Sequence, residues 1–188
     1  MPSTGAIICG TGENNAGIGA TAWTSPTNIQ ADDTTNLASC NAAASSQYLV
    51  ARNFGFALPT NARIVGVTLA VDAAESSAGS ELINAQIQDN GSALIGSVVA
   101  NTVNGTTLTV YPFGGANNLW GTTTLTPAMV SSANFGVRLW FTTAHNVTVD
   151  YVSMDIEYVI DTPWVWKMTS RSPMMQRRPT HKQIKNHL

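Results

Sequence analysis

Residues 64–73 read Ile-Val-Gly-Val-Thr-Leu-Ala-Val-Asp-Ala, and larger apolar side chains recur at every second position from Val65. Successive side chains of a β-strand point to opposite faces of the sheet. The alternation therefore places Val65 and Val67 on the same face as Ala73, with Gly66 and Asp72 on the other. This stretch predicts a strand with one face buried against a core.

Similar patterns recur on both sides of this strand. The segment 83–87 alternates in the same way, and the Asn-Gly pair within 89–92 tolerates positive φ angles. That combination predicts a tight hairpin that returns the chain through 94–99. Asn104-Gly105 offers a second such turn, and residues 135–141 form another one-faced strand.

Residues 147–160 form the longest apolar alternation, and its phase changes near Asp150, which predicts a bulge or a crossing between sheets. Only residues 126–132 indicate a short helix, with Pro127 suited to its first position. We count about eight short strands and almost no helix. The predicted fold class is all-β, an antiparallel β-sandwich of jelly-roll-like type.

The chain divides into three predicted parts. Residues 1–22 are rich in Gly, Thr, Ala and Asn and indicate an extended N-terminal arm. Residues 23–161 form the sandwich domain, and residues 162–188 form a basic and apolar C-terminal tail. We interpret the N-terminal arm and the tail as segments that clasp neighbouring subunits.

Charge is unevenly distributed along the chain, although its formal net charge is only −2. The body carries three arginines, no lysine and all eleven carboxylates, which gives −8, whereas the tail carries six cations and no acid. Charged residues make up 11% of the chain, and Thr, Ser and Asn together supply 54 residues. A surface of hydroxyls and amides loses little on desolvation, which suits broad contact with neighbouring subunits or with sugars.

The tail combines cations with Trp and Met, residue types that are enriched in protein interfaces. The side chains that we assign to partner binding are Trp164, Trp166, Lys167, Met168, Arg171, Arg177, Arg178, Lys182 and Lys185. We favour docking onto an acidic protein partner, such as the body of a neighbouring copy. Contact with nucleic acid and a solvated terminus remain as alternatives.

No pattern of catalytic or cofactor-binding residues occurs in the sequence. The glycine pairs at 10–12 and 17–19 lack a third glycine and a following helix, so a nucleotide loop is not indicated. His145 is the single histidine of the body, and no serine stands in a nucleophile elbow. We expect no enzyme activity, cofactor or metal, and we interpret Cys9 and Cys40 as free thiols.

Several short motifs in the body form a recognisable combination. They are Trp23-Thr-Ser-Pro26-Thr-Asn28-Ile29, Asp32-Asp33, Asn53-Phe54-Gly55-Phe56, Leu58-Pro59, Ala62 to Val67, Leu119-Trp120-Gly121, Val130 to Val137 and Val149-Asp150-Tyr151-Val152. With them, residues 22–160 resemble a β-sandwich family found in virion proteins of tailed bacteriophages, among head decoration, tail and fibre components.

The resemblance implies a structural or adhesive role and supplies no catalytic residue. It points to a capsid decoration or cement protein in the virion that binds the major capsid protein or other virion subunits. A closed homo-oligomer, threefold in symmetry, follows from the resemblance and from the preference of oligomers for closure. The alternatives are a receptor- or carbohydrate-binding module of a tail or fibre, and a neck or tail connector. No apolar run is long enough to predict a membrane span.

Overall fold

The computed structural model describes residues 1–41, 45–76, 79–123, 125–142 and 146–161, which form two antiparallel sheets. The strands are β1 (Ile7–Ile8), β2 (Thr11–Asn15), β3 (Ala38–Asn41), β4 (Tyr48–Arg52), β5 (Ala62–Glu75), β6 (Ser80–Gln88), β7 (Leu94–Asn104), β8 (Thr109–Gly115), β9 (Gly136–Phe141) and β10 (Asn146–Ile160). Besides the strands there are a 3₁₀ turn, Pro26–Ile29, and a short helix α1, Pro127–Val130. The predicted antiparallel β-sandwich is confirmed.

Sheet A has the strand order β1-β10-β5-β8, with β3 also paired to β10, and sheet B has the order β2-β4-β9-β6-β7. The chain changes sheets at each connection between strands except the one from β6 to β7. That connection is the predicted hairpin, and Gln88 pairs with Leu94 across it. Asn104-Gly105, by contrast, leads from β7 in sheet B to β8 in sheet A, so it is not a hairpin turn.

The centre of sheet A is the antiparallel pair of β5 and β10. The register shifts between Val149 and Val152, which confirms the phase change predicted near Asp150. A second shift pairs Glu157 with Gly66 but Tyr158 with Ile64. Because one residue of β5 is skipped there, the alternation reverses, and Ile64 is buried where Val65 was expected.

The N-terminal segment differs from the arm that we expected over residues 1–22. Strand β1 pairs with β10 in sheet A, and β2 pairs with β4 in sheet B. Gly12 shows how tightly β2 is packed, because a Cβ there would overlap the carbonyl oxygen of Pro26. The segment is therefore part of both sheets. The sequence did not predict its two strands because they contain few apolar residues and are held chiefly by backbone hydrogen bonds.

Trp23, Trp120 and Trp140 are all buried. The Trp120 indole Nε1–H donates to the carbonyl oxygen of Val67 on β5 at 2.9 Å. Its own carbonyl oxygen accepts from the N–H of Ser97 on β7. Trp120 therefore ties sheet A to sheet B through two directional bonds as well as through its buried ring.

We expect Trp120→Phe to lower the free energy of unfolding by about 2 to 4 kcal/mol, because a buried carbonyl loses its indole donor and part of the ring volume is lost. Urea denaturation of the full chain measures this change. The control is Trp140→Phe, which loses the same ring volume at a site where Phe can keep an edge-to-face contact with Tyr48, so we expect a smaller loss of about 1 kcal/mol. Equal losses in the two variants would contradict the role of the Trp120 tie.

Candidate functional site

The nine side chains assigned to partner binding, from Trp164 to Lys185, lie outside the described residues. What the structure does fix is the place from which the tail departs. The N–H of Asp161 donates to the carbonyl oxygen of Asn61 at 3.2 Å, and the Asp161 carboxylate lies 3.6 Å from the Arg63 guanidinium. The tail therefore leaves the domain at the end of sheet A where β5 begins and β10 ends.

The outer face of sheet B carries two of the three body arginines, and both are engaged locally. Arg52 pairs with Glu13 at 3.0 Å, and this ion pair lowers the pKa of the glutamate. The Arg138 guanidinium lies 5.2 Å from the centre of the Tyr48 ring and donates to Gln88 at 2.8 Å. This face has near-balanced charge and offers little attraction for a cationic tail.

The outer face of sheet A is acidic. Along β10, Asp155 and Glu157 alternate with core residues and point outward. Asp155 accepts a hydrogen bond from the Thr4 hydroxyl at 2.9 Å, and Glu157 accepts one from the Thr68 hydroxyl at 3.1 Å. Both partners are neutral, so the negative charge is oriented but not cancelled.

Two more carboxylates meet where the β10 bulge faces β5. Asp150 is fully buried, and its two carboxylate oxygens accept from the N–H of Thr34 at 3.1 Å. Asp72 is only 8% exposed, and its Oδ1 has no hydrogen-bond partner. Burial, with the charges of Asp150 and Asp32, raises the pKa of Asp72. We call the exposed or half-buried Asp32, Asp155 and Glu157 the acidic face, and the buried Asp72 and Asp150 add their charge from within the fold.

The described strands of sheet A carry one cation, Arg63, which lies at the far end of β5 beside Asp161. Asp33, next to the acidic face, instead organises its own turn. It accepts hydrogen bonds from the backbone N–H groups of Thr35 and Asn36, and the Asn36 amide is the main cause of its lowered pKa. Among the described residues, no three His, Cys, Asp or Glu side chains are grouped to hold a metal ion.

The two cysteines are buried and unpaired, which confirms their interpretation as free thiols. Burial raises the pKa of Cys9 to about 12 and that of Cys40 to about 11. Thiolate is the reactive form of cysteine, so both side chains are chemically inert in the folded domain. They contribute to packing rather than to reactivity.

Aromatic side chains do not form an open platform on the described surface. Tyr48 and Trp140 lie side by side on the outer face of sheet B in an edge-to-face contact of 5.4 Å. Each is only 8% exposed, because Ile18 and Leu94 pack against them. The large hydrophobic side chains exposed in the described ranges are Met1, Leu82, Val98, Val110 and Ile160, and none is aromatic.

An apolar groove of about 370 Å³ opens at the same end of the domain as the tail exit. Its walls are the turn before β5 and helix α1, and its lining residues are Leu58, Thr60, Thr126, Pro127, Ala128 and Ser131. Thr126 caps α1 by accepting the N–H of Met129 at 3.2 Å, which holds one wall in place. The helix and Pro127 were predicted, but the groove was not, because it joins segments more than 60 residues apart in the sequence.

No protein-family model matches the sequence, and no curated protein matches it. Solved structures with a similar fold include the N-terminal CBM22-1–GH10 modules of Clostridium thermocellum endo-1,4-β-D-xylanase 10B with xylohexaose, at 14% identity and a TM-score of 0.49. That match covers 80% of this chain and 27% of the other. PfGH50B matches at 9% identity and a TM-score of 0.46, covering 77% of this chain and 22% of the other.

This chain therefore spans about a quarter of the length of each of these two structures. At 14% and 9% identity and TM-scores below 0.5, neither match bears on the function of this chain. Among the described residues, no helix is long and apolar enough to cross a membrane. Function has to be argued from the chain's own acidic face, groove and tail.

Asp72→Asn tests the charge that is buried near the acidic face. The pKa of Asp72 is raised on folding, so the folded state binds more protons between the unfolded and folded values, and stability falls as pH rises through that interval. We expect the substitution to raise the free energy of unfolding at pH 7 by about 1 kcal/mol and Tm by roughly 2 to 4 °C. The gain should vanish below a pH of about 4.

Thermal denaturation of both proteins from pH 3 to pH 8 measures this effect. Asp161→Asn is the control, because its carboxylate is 63% exposed and surface substitutions change stability by about 0.5 kcal/mol or less. A neutral or destabilising effect of Asp72→Asn at pH 7 would show that the charge of Asp72 is not a cost to the fold.

Proposed function

We propose that this protein is a non-enzymatic structural subunit of a tailed-bacteriophage virion, and specifically a capsid decoration or cement protein. In this proposal the tail binds the major capsid protein or another virion subunit, and the sandwich faces outward. The assignment to a virion derives from the sequence resemblance. A threefold homo-oligomer is part of the same proposal.

The observation that carries the docking role is the separation of charge within one chain. The tail bears six cations and no acid, and it departs from the end of sheet A. The outer face of that sheet presents the acidic face, in which Asp155 and Glu157 accept hydrogen bonds from neutral donors. A basic segment that leaves one copy finds a complementary surface on its own domain or on the next copy.

The composition of the body supports broad contact with neighbouring proteins. Its surface is built chiefly from hydroxyl, amide and alanine side chains, and desolvating such groups costs less than desolvating ions. The two arginines on the outer face of sheet B are already engaged by neighbouring side chains. Interfaces that must form many times on one particle gain from surfaces of this kind.

The carbohydrate-binding alternative requires two exposed aromatic side chains next to each other. Among the described residues Trp23, Trp120 and Trp140 are each at most 8% exposed, and Tyr111, Tyr151 and Tyr158 are half-buried. Sugar rings need a flat apolar face open to solvent for stacking. The geometry therefore favours protein docking over glycan binding.

Binding of the tail to the acidic face is testable with two pieces of the chain. We expect a peptide of residues 162–188 to bind the body of residues 1–161, and its affinity to fall about tenfold between 0.05 and 0.3 M salt, because exposed charges are screened. Isothermal titration calorimetry measures this binding. The body variant Asp155→Asn/Glu157→Gln should bind more weakly, because two of the carboxylates are neutralised.

The matched control is a peptide in which five cations are replaced by Gln: Arg171, Arg177, Arg178, Lys182 and Lys185. The same native peptide is also titrated with duplex DNA. Binding to DNA without binding to the body at 0.15 M salt would support the nucleic-acid alternative and count against this proposal.

The virion role is tested by truncation after Asp161. We expect particles assembled in the presence of the shortened chain to carry at least about tenfold less of it than of the full chain, since each 1.4 kcal/mol of lost contact weakens binding tenfold. Quantitative electrophoresis of purified particles measures the occupancy. Arg52→Gln in the full chain is the control, because it removes one cation of the body on the outer face of sheet B, away from the tail exit. Equal occupancy by the truncated and full chains would overturn the docking role.

A further inference from the structure

We propose that the apolar groove between Leu58-Thr60 and helix α1 binds the side chain of Trp164 from the same chain. This contact would anchor the first residues of the tail on their own domain. The inference rests on the proposed docking role of the tail and adds an intramolecular step to it. The aromatic start of the tail is held on its own domain, and the basic remainder from Arg171 onward is presented to a partner.

The first support is the position where the described chain ends. Asp161 is held against Asn61 by two hydrogen bonds, one from its own N–H at 3.2 Å and one from the Asn61 side-chain amide to its carbonyl oxygen at 3.4 Å. Thr60, the neighbour of Asn61, lines the groove. The tail therefore begins within a residue or two of the groove wall.

The second support is the length of chain from this point to the first tryptophan. Trp164 follows Asp161 by three residues, which span at most about 11 Å when extended. Trp166 follows by five residues and could reach further along the same wall. A tail from a second copy would have to bring its own exit point close to this end of the domain.

The third support is the chemistry of the groove. Leu58, Pro127 and Ala128 supply apolar surface, and Thr60 and Thr126 contribute hydroxyl-bearing side chains to the lining. An indole matches this arrangement, because it has a large apolar ring and one N–H that needs an acceptor. No carboxylate lines the groove, so the aromatic rather than the basic part of the tail fits it.

A disulfide-trapping experiment on the full chain tests the proposal. Ala128→Cys on the groove wall is combined with Val165→Cys beside Trp164, so that the proposed occupant itself is kept. Ala128 is exposed, and the native Cys9 and Cys40 are buried. A disulfide requires the two Cβ atoms to come within about 4.5 Å. Peptide mapping after mild oxidation at low protein concentration identifies the bridge.

The control pairs Val165→Cys with Ala100→Cys, because Ala100 is an exposed residue of β7 outside the groove. We expect a bridge within one chain to form at least about tenfold faster in the groove pair, since docking raises the effective concentration. Equal rates in the two pairs would overturn the proposal. Bridges between chains would also overturn it and would identify a second copy as the occupant.

Tryptophan fluorescence provides a second readout that needs no crosslink. Ala128→Glu places a charge in the groove, and we expect the emission of the full chain to shift to longer wavelength as Trp164 becomes solvated. The same substitution in a Trp164→Phe background should cause no such shift, and Ala100→Glu should cause none in either background. A shift that persists without Trp164 would refute the assignment. Both readouts use the isolated chain, so they stand apart from occupancy of virions.

Discussion

The antiparallel pairing of β5 with β10 is the constraint on which the other features of this molecule depend. Their core-facing side chains, such as Leu69 and Met154, fill one wall of the interior, and the remaining strands of sheet A attach to one or the other. The bulge in β10 gathers the buried carboxylates, and the shared end of the two strands fixes the exit of the tail beside the groove. The core, the acidic face and the position where the tail begins therefore all depend on the register of this one strand pair.

The bulge also shows how a polar loop is joined to an apolar sheet. Asp150 turns its carboxylate to the N–H of Thr34, which fastens the loop before β3 over sheet A. This arrangement brings Asp72 and Asp32 close to Asp150, and burial, together with repulsion from these two carboxylates, raises the pKa of Asp72. The buried negative charge of Asp150 is tolerated because the backbone N–H groups of Asp33 and Thr34 are directed at it.

The sequence predicted features that depend on local periodicity or turn chemistry. These include the β5 alternation, the hairpin at 89–92, the phase change near Asp150 and the capped turn at Pro127. The sequence did not predict features that depend on pairing between distant strands. The change of face at Val65 arises from the register with β10. Strands β1 and β2 contain too few apolar residues to be recognised from their sequence. The groove was also missed, because two distant segments form it. The tail assignment remains a prediction from composition.

Pairing of the first strand with the last has a consequence for how the molecule comes into being. The hydroxyl of Thr4 reaches Asp155, 151 residues away, and sheet A cannot be completed until β10 has been synthesised. Such non-local pairing forms slowly, because the entropy cost of closing a long loop arises before the new contacts stabilise the pair. The cationic tail is translated after β10, so all the strands of sheet A have been synthesised before it appears. The order of synthesis thus places the cationic segment behind every described strand of the domain that carries it.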